Sequence, residues 1–181
     1  MSVLPGKKAP LFAGVCWEGK WTDVSLTDYI REENSISFRK GSWLVLFFYP
    51  MDFGYIAPSE LLELERKRSE LEKMNCKILA VSTDAAVVHE KFSSLSPEDG
   101  GVKGIKFPLL EDVDGLIASK YGVMKKDTGY TYRAYFIIDN EGVVRARVVG
   151  DLPVGLGIEE IPKKVAALQK VVKADAWYHI E

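Results

Sequence analysis

The segment Leu44-Val-Leu-Phe-Phe-Tyr49, closed by Pro50, constrains the fold most. Six consecutive apolar residues with no alternation fit a strand covered on both faces, and a following proline stops the ladder. Pro58 lies where a helix can begin, because the missing N–H is not needed in a first turn. From there to Met74, Leu61, Leu64, Leu71 and Met74 fall on one stripe, and Glu63, Glu65, Arg66, Lys67, Arg68 and Glu70 lie between them. That spacing predicts an amphipathic helix with a solvated charged face. Lys77 to Ser82 is a second buried strand, so strand, helix and strand form one βαβ unit.

The flanking segments decide which α/β class is built. Leu11–Trp17 and Lys20–Val24 read as a hairpin about Glu18-Gly19, followed by a helical turn over Ser25–Tyr29 and a polar loop from Arg31 to Gly41. Ala85–Leu95 and Asp114–Tyr121 read as short helices, the second with Asp114 as its N-cap, and Ser96–Gly104 as a loop. Tyr132–Asp139 and Val143–Val149 flank Asn140-Glu-Gly142 as an antiparallel hairpin. In its second strand Val144, Ala146 and Val148 are expected on one face, Arg145 and Arg147 on the other. Ile158, Ile161, Val165, Leu168 and Val172 mark a C-terminal helix with Pro162 in its first turn. A doubly wound fold would not end in a hairpin before its last helix, whereas a thioredoxin-like fold would. The expectation is one α/β domain over 1–181: a central mixed sheet flanked by helices, an N-terminal hairpin, and a helix and tail over 158–181.

Composition excludes several functions. The 181 residues are 47% apolar and 28% charged, enough to bury a core. Lys plus Arg is 24 against 26 for Asp plus Glu, without the basic footprint of a nucleic-acid binder. The longest apolar run is too short to span a bilayer, and the N-terminus carries no apolar leader. With two cysteines, Cys16 and Cys76, no disulfide framework is expected, and a cytoplasmic protein is.

Individual motifs read plainly. Cys16 and Cys76 are expected as small buried hydrophobes. His89 and His179 stand alone, so no metal site and no cofactor are expected. Most of Trp17, Trp21, Trp43 and Trp177 are expected in the core, and Trp177-Tyr-His-Ile180 is a candidate docking tail.

Val45-Leu-Phe-Phe-Tyr-Pro-Met-Asp-Phe53 resembles the strand and loop that lead into the active site of peroxiredoxins, thiol peroxidases on a thioredoxin-like fold. So do Gly6-Lys-Lys-Ala-Pro10, Ala80-Val-Ser-Thr-Asp84, Phe107-Pro-Leu-Leu110, Ser119-Lys-Tyr-Gly-Val123, Tyr132-Arg-Ala-Tyr-Phe-Ile-Ile-Asp139 and Asp151-Leu-Pro-Val-Gly155. The similarity covers nearly the whole chain and is nearest the typical two-cysteine subgroup.

The resemblance implies a cysteine thiolate in the first turn of the long helix, activated by the helix N-terminus and an arginine. The frame here is Pro50-Met-Asp-Phe-Gly54-Tyr-Ile-Ala57-Pro-Ser-Glu60. Pro50 and Glu60 match, and Arg133 matches the peroxide-polarising arginine. Gly54 stands where a hydroxyl is expected and Ala57 where the peroxidatic cysteine is expected. Leu156 replaces a second arginine, which leaves Glu60 without its expected partner, and no C-terminal resolving cysteine is present. Gly100-Gly101 matches an element tied to overoxidation and reads here as a flexible loop. The resemblance also implies a homodimer, with larger rings open, through the edge strand carrying Val143, Arg145, Arg147 and Val149.

The expected function is a catalytically silent peroxiredoxin-like protein that works by self-association or by binding active peroxiredoxins or client proteins. The alternative is an active thiol peroxidase whose natural residue 57 is cysteine or which uses Cys76 or Cys16. A third reading places a small anion beside Arg133 and the helix N-terminus.

Overall fold

The computed structural model describes residues 3–31, 41–151 and 155–178, with side chains to residue 174. The elements follow in order: β1 (Ala13–Trp17), β2 (Trp21–Ser25), β3 (Trp43–Phe48), α1 (Ala57–Lys73), β4 (Cys76–Ser82), α2 (Ala86–Ser94), β5 (Leu109–Glu111) and α3 (Leu116–Tyr121). The chain continues through β6 (Met124–Lys125), β7 (Tyr130–Thr131), β8 (Arg133–Ile138), β9 (Val144–Gly150) and α4 (Ile161–Tyr178). Among the described residues the main sheet has seven strands in the order β2-β1-β5-β4-β3-β8-β9. β3, β4 and β5 run parallel, and β8, β9 and the N-terminal hairpin pair antiparallel outside them. The mixed sheet and both expected hairpins are therefore present.

β3 occupies the centre because all six of its side chains are apolar and buried. Leu44, Leu46 and Phe48 enter one core layer with Tyr121, Phe136 and Val144. Val45, Phe47 and Tyr49 enter the other with Leu61 and Leu64 of α1 and Ile161 and Val165 of α4. Each such side chain contributes about 1.5–3 kcal/mol of burial. Outside the core stripe, Arg68 of α1 pairs with Glu65 at 2.8 Å and Glu72 at 2.7 Å. The helix ends where Asn75 turns to φ 52°, a left-handed conformation that asparagine tolerates.

Local chemistry differs from the sequence expectation at several points. The N-cap position of α3 is Gly115 rather than Asp114, yet Asp114 Oδ1 still accepts the N–H of Leu116 at 3.1 Å, and Asp112, 3% exposed, accepts those of Ile117 at 2.9 Å and Ala118 at 2.8 Å. A carboxylate inside the fold reaches further into the first turn than the exposed one nearer in sequence. In β9, Ile138 pairs with Val144 and Ile137 with Ala146, so Arg145 is bulged out of register. Val144 consequently packs in the α3-side layer, while Ala146 and Val148 pack in the α1/α4-side layer. The expected common face of the three is broken by that one extra residue.

The Gly100-Gly101 segment is a tight turn rather than an open loop. Gly100 has φ 77°, Gly101 N–H donates to Ser96 O at 2.9 Å, and a Cβ on Gly101 would lie 2.3 Å from Leu95 O. Trp43 is core, but Trp17 is half-buried and Trp21 is 50% exposed, the two meeting edge to face at the hairpin tip. The polar loop within 32–40, Leu152-Pro-Val154, His179 and the side chain of Trp177 lie outside the described residues. Among the described residues no helix is long and apolar enough to cross a membrane.

Candidate functional site

The loop between β3 and α1 carries the sequence-predicted site. β3 ends at Phe48, Tyr49 and Pro50 are buried, and the chain turns through Asp52 and Phe53 before α1 begins at Ala57. Ala57 is fully buried in the first turn, and Pro58 follows it. A Cβ placed on Gly54 would lie 3.9 Å from Ala57 Cβ, so the two predicted positions are neighbours. One helical turn on, Glu60 points into the α1/α4-side interior.

Arg133 opens β8 beside β3 and reaches the same place: its Nη1 donates to Glu60 Oε2, and each residue is 4% exposed. Leu156 stands where the expected partner of Glu60 would be, and Arg133 takes up the carboxylate instead. Arg133 neutralises it, and the backbone N–H of Leu156 donates to Glu60 Oε1 at 3.3 Å. A backbone donor at 156 therefore faces the carboxylate where a second guanidinium was expected. Burial pushes the Glu60 carboxyl above the usual range, opposed by the Arg133 charge and the Leu156 N–H. Arg133, Glu60 and Ala57 supply a guanidinium, a carboxylate and a methyl, which can hold charge and fix a helix end; Ala57 brings no thiol and Gly54 no hydroxyl.

A second buried polar group shares the loop. Asp52 accepts from Tyr49 Oη at 2.7 Å and meets His89 Nδ1 at 2.8 Å, with His89 completely buried in α2. The Asp52 N–H donates to Asp84 Oδ2 at 2.7 Å, and Ser82 Oγ donates to the same oxygen at 2.7 Å. Thr131 Oγ1 holds Tyr49 O at 2.8 Å. Burial raises the Asp52 carboxyl, offset by His89 and by the Tyr49 hydrogen bond. His89 Nε2 is buried with no hydrogen-bond partner. The expectation that His89 stands alone is thus corrected: its partner is 37 positions away in sequence, brought close by the β3–α1–β4–α2 crossover. Its signal in the sequence was a buried helical face shared by Ala86, His89 and Phe92 at spacing three.

The two thiols lie elsewhere. Cys76 opens β4 and Cys16 is in β1; both are free and buried. Burial pushes the Cys76 thiol up to about 12. Burial, then the Glu18 and Asp23 charges, pushes Cys16 up to about 11. Among the described residues no group of three or more His, Cys, Asp or Glu side chains is placed to hold a metal.

The predicted edge is real but partly occupied. β9 is the last strand of the sheet. Its first residues pair with the chain's own N-terminal segment: Lys8 bridges Val143, Gly6 N–H donates to Val144 O at 2.8 Å, and Val144 N–H donates to Lys7 O at 2.9 Å. Arg145 Nε donates to Asp139 Oδ2 at 2.6 Å, while the Arg147 guanidinium lies 6.0 Å from the Phe136 ring. Val149 is 37% exposed. Of the four predicted edge residues, Val143 is therefore already engaged within the chain.

Known proteins resemble this one in both sequence and shape. The AhpC/TSA family model matches residues 5–147. Peroxiredoxin-2 of Bos taurus is 38% identical over 165 residues, spanning 91% of this chain and 78% of that protein. Thioredoxin peroxidase of Echinococcus granulosus is 36% identical over 170 residues, spanning 93% and 83%. Among solved structures, the reduced 2-Cys peroxiredoxin of Plasmodium vivax superposes with a TM-score of 0.85 at 29% identity, covering 93% of this chain and 83% of that one. Enterococcus faecalis AhpC gives 0.84 at 30% identity, covering 96% of each. With a long family match, close relatives and the same thioredoxin-like sheet in agreement, the chain belongs to the AhpC/TSA family and is a homologue of the peroxiredoxins.

Proposed function

We propose that this chain is a cytoplasmic peroxiredoxin-fold protein without peroxidase activity, acting through self-association or binding to active peroxiredoxins or client proteins. One observation carries the reading: the side chain in the first turn of α1 is the buried methyl of Ala57, beside Gly54. Peroxide reduction by this family's chemistry needs a thiolate there to attack an oxygen and become a sulfenic acid, and a methyl can do neither. Glu60 and Arg133 then act as a structural ion pair that fixes α1 on β8.

The rival reading is a working thiol peroxidase, favoured by the chemistry that the relatives' names describe. It would need a natural cysteine at residue 57, or else Cys16 or Cys76, whose thiols burial pushes up. The deciding measurement is peroxide consumption coupled to NADPH, thioredoxin reductase and thioredoxin. Background turnover is expected for the wild-type chain, and rapid, alkylation-sensitive turnover would overturn the proposal. In parallel, Ala57→Cys reports whether the pocket can still activate a sulfur. Low activity is expected, because Gly54 supplies no hydroxyl and Leu156 no guanidinium.

A further inference from the structure

At the end of the sheet opposite β9, the tip of the β1–β2 hairpin, α2 and the segment before β5 border a cleft of about 260 Å³. Ile105 and the buried Phe107 line it with apolar surface. Trp17 lines it from the hairpin side, and the half-exposed Trp21 meets the Trp17 ring edge to face at 5.6 Å and 75°. Two neighbouring indoles that the fold leaves partly in water are surface suited to a guest.

Apart from the Trp17 indole, the polar side chains lining this cleft present acceptors. Glu18 and Glu90 supply carboxylates. Ser93 Oγ donates back to His89 O, and Ser94 Oγ to Lys91 O at 2.7 Å, so each hydroxyl proton is engaged and its oxygen lone pairs remain. Glu90 is half-buried and makes no ion pair or side-chain hydrogen bond among the described residues. Glu18 receives only the Thr22 hydroxyl, at 3.3 Å. Asp23, two positions beyond Trp21 and therefore on the same strand face, adds a third carboxylate nearby. The lysines adjacent in sequence, Lys20, Lys91 and Lys106, are exposed, and among the described residues none pairs with Glu18 or Glu90.

We infer that this cleft binds the guanidinium of an arginine side chain presented by a partner protein. A guanidinium carries five N–H donors and no acceptor, which matches a site lined by acceptors. Its flat face stacks on an indole, and its fork engages two oxygens at once, neither of which a compact, strongly hydrated ammonium does as well. The same guest gives the half-buried Glu90 carboxylate a counter-charge and covers exposed indole surface. A guanidinium site here gives the binding role proposed above a place and a chemistry; it rests on that reading for the partner protein and on the cleft for the ligand.

To test this, acetyl-Gly-Arg-Gly-amide is titrated into the full chain while the indole N–H resonances of Trp17 and Trp21 and the backbone resonances of α2 are followed by NMR. Saturable shifts at Trp17, Glu90 and Ser93 are expected, with a dissociation constant on the order of 1–10 mM. The matching citrulline peptide, similar in shape but uncharged, is expected to leave them unmoved, and the lysine peptide to bind several-fold more weakly. Glu90→Gln is expected to weaken the arginine peptide about fivefold with the fold unchanged. Raising salt from about 0.05 to about 0.5 M is expected to weaken binding to the wild-type chain. Absence of shifts, an equal response to citrulline, or shifts confined to another face overturns the site. Equal affinity for the lysine peptide, or no effect of Glu90→Gln, overturns the guanidinium assignment. Rapid thioredoxin-coupled peroxide turnover would instead overturn the reading of the chain as a silent binder and leave the arginine preference of the cleft standing.

Discussion

Two buried polar groups sit beside one loop, and they are built differently. Glu60 and Arg133 form a compact pair between α1 and β8, and the backbone N–H of Leu156 donates to the same carboxylate. Asp52, by contrast, sits in a chain of contacts from Tyr49 through His89 and, by its own N–H, to Asp84 and Ser82. The first depends on one full charge meeting another. The second spreads its polar groups over several hydrogen bonds that tie the loop to β3, β4 and α2. In the reading proposed here, the loop keeps its path without a reactive sulfur because its moorings lie in this second group.

That contrast sets how each should respond to damage. Arg133→Met strands the Glu60 carboxyl in the interior, with an expected loss of about 3–5 kcal/mol in urea unfolding. A loss below 1 kcal/mol would show that the pair is not a structural tie. Next in size is thiol access. With folded thiols two to three pH units above the ordinary range, native Cys16 and Cys76 should react with N-ethylmaleimide at pH 7.5 on the order of 100-fold slower than in the denatured chain. Rapid native labelling of either would reopen the peroxidase alternative.

Asp52→Asn keeps one acceptor and the side-chain shape, so its expected cost is smaller, about 1–2 kcal/mol. It also carries a pH signature. Burial lifts the folded Asp52 carboxyl above its unfolded value, so its favourable contribution is full below that unfolded value, near 4. The contribution is lost as pH rises through the folded value. The penalty of Asp52→Asn should therefore be larger at pH 4 than at pH 7, measured by paired denaturation curves; a penalty that grows with pH would contradict it. Asp112→Ala removes the two bonds that cap α3 and should cost about 1–2 kcal/mol without that loop's involvement. The smallest effect is expected at Tyr55, 101% exposed: Tyr55→Ser should stay within about 0.5 kcal/mol in dilute monomer.

The parts of the fold that were legible in the sequence are those where one local pattern dominates. The unbroken apolar run gave β3, and the leucine stripe gave α1 to within one residue at each end. The Asn140–Gly142 turn follows from local chemistry: Asp139 Oδ1 accepts from the N–H groups of Glu141 and Val143, each at 2.9 Å, and Gly142 adopts φ 75°. What was hidden involved partners distant in sequence. Asp112 joins Asp114 in accepting the first N–H groups of α3, and the Arg145 bulge moved Val144 to the opposite face. Neither leaves a periodic trace, because each depends on what a neighbouring element offers. The candidate site divides in the same way. Ala57, Gly54, Glu60 and Arg133 were named from motif spacing, whereas the Asp52–His89 contact spans 37 residues and no motif pointed to it.

Sequence alone determined the strand–helix–strand core, the residue types at the loop and the absence of sulfur at position 57, because each is a property of identity and local spacing. Tertiary structure alone decided that Glu60 finds Arg133, that His89 finds Asp52, and that the N-terminal segment occupies the first residues of β9. Those outcomes depend on which buried polar groups come within hydrogen-bonding distance once the sheet has assembled, and burial makes leaving them unpaired costly.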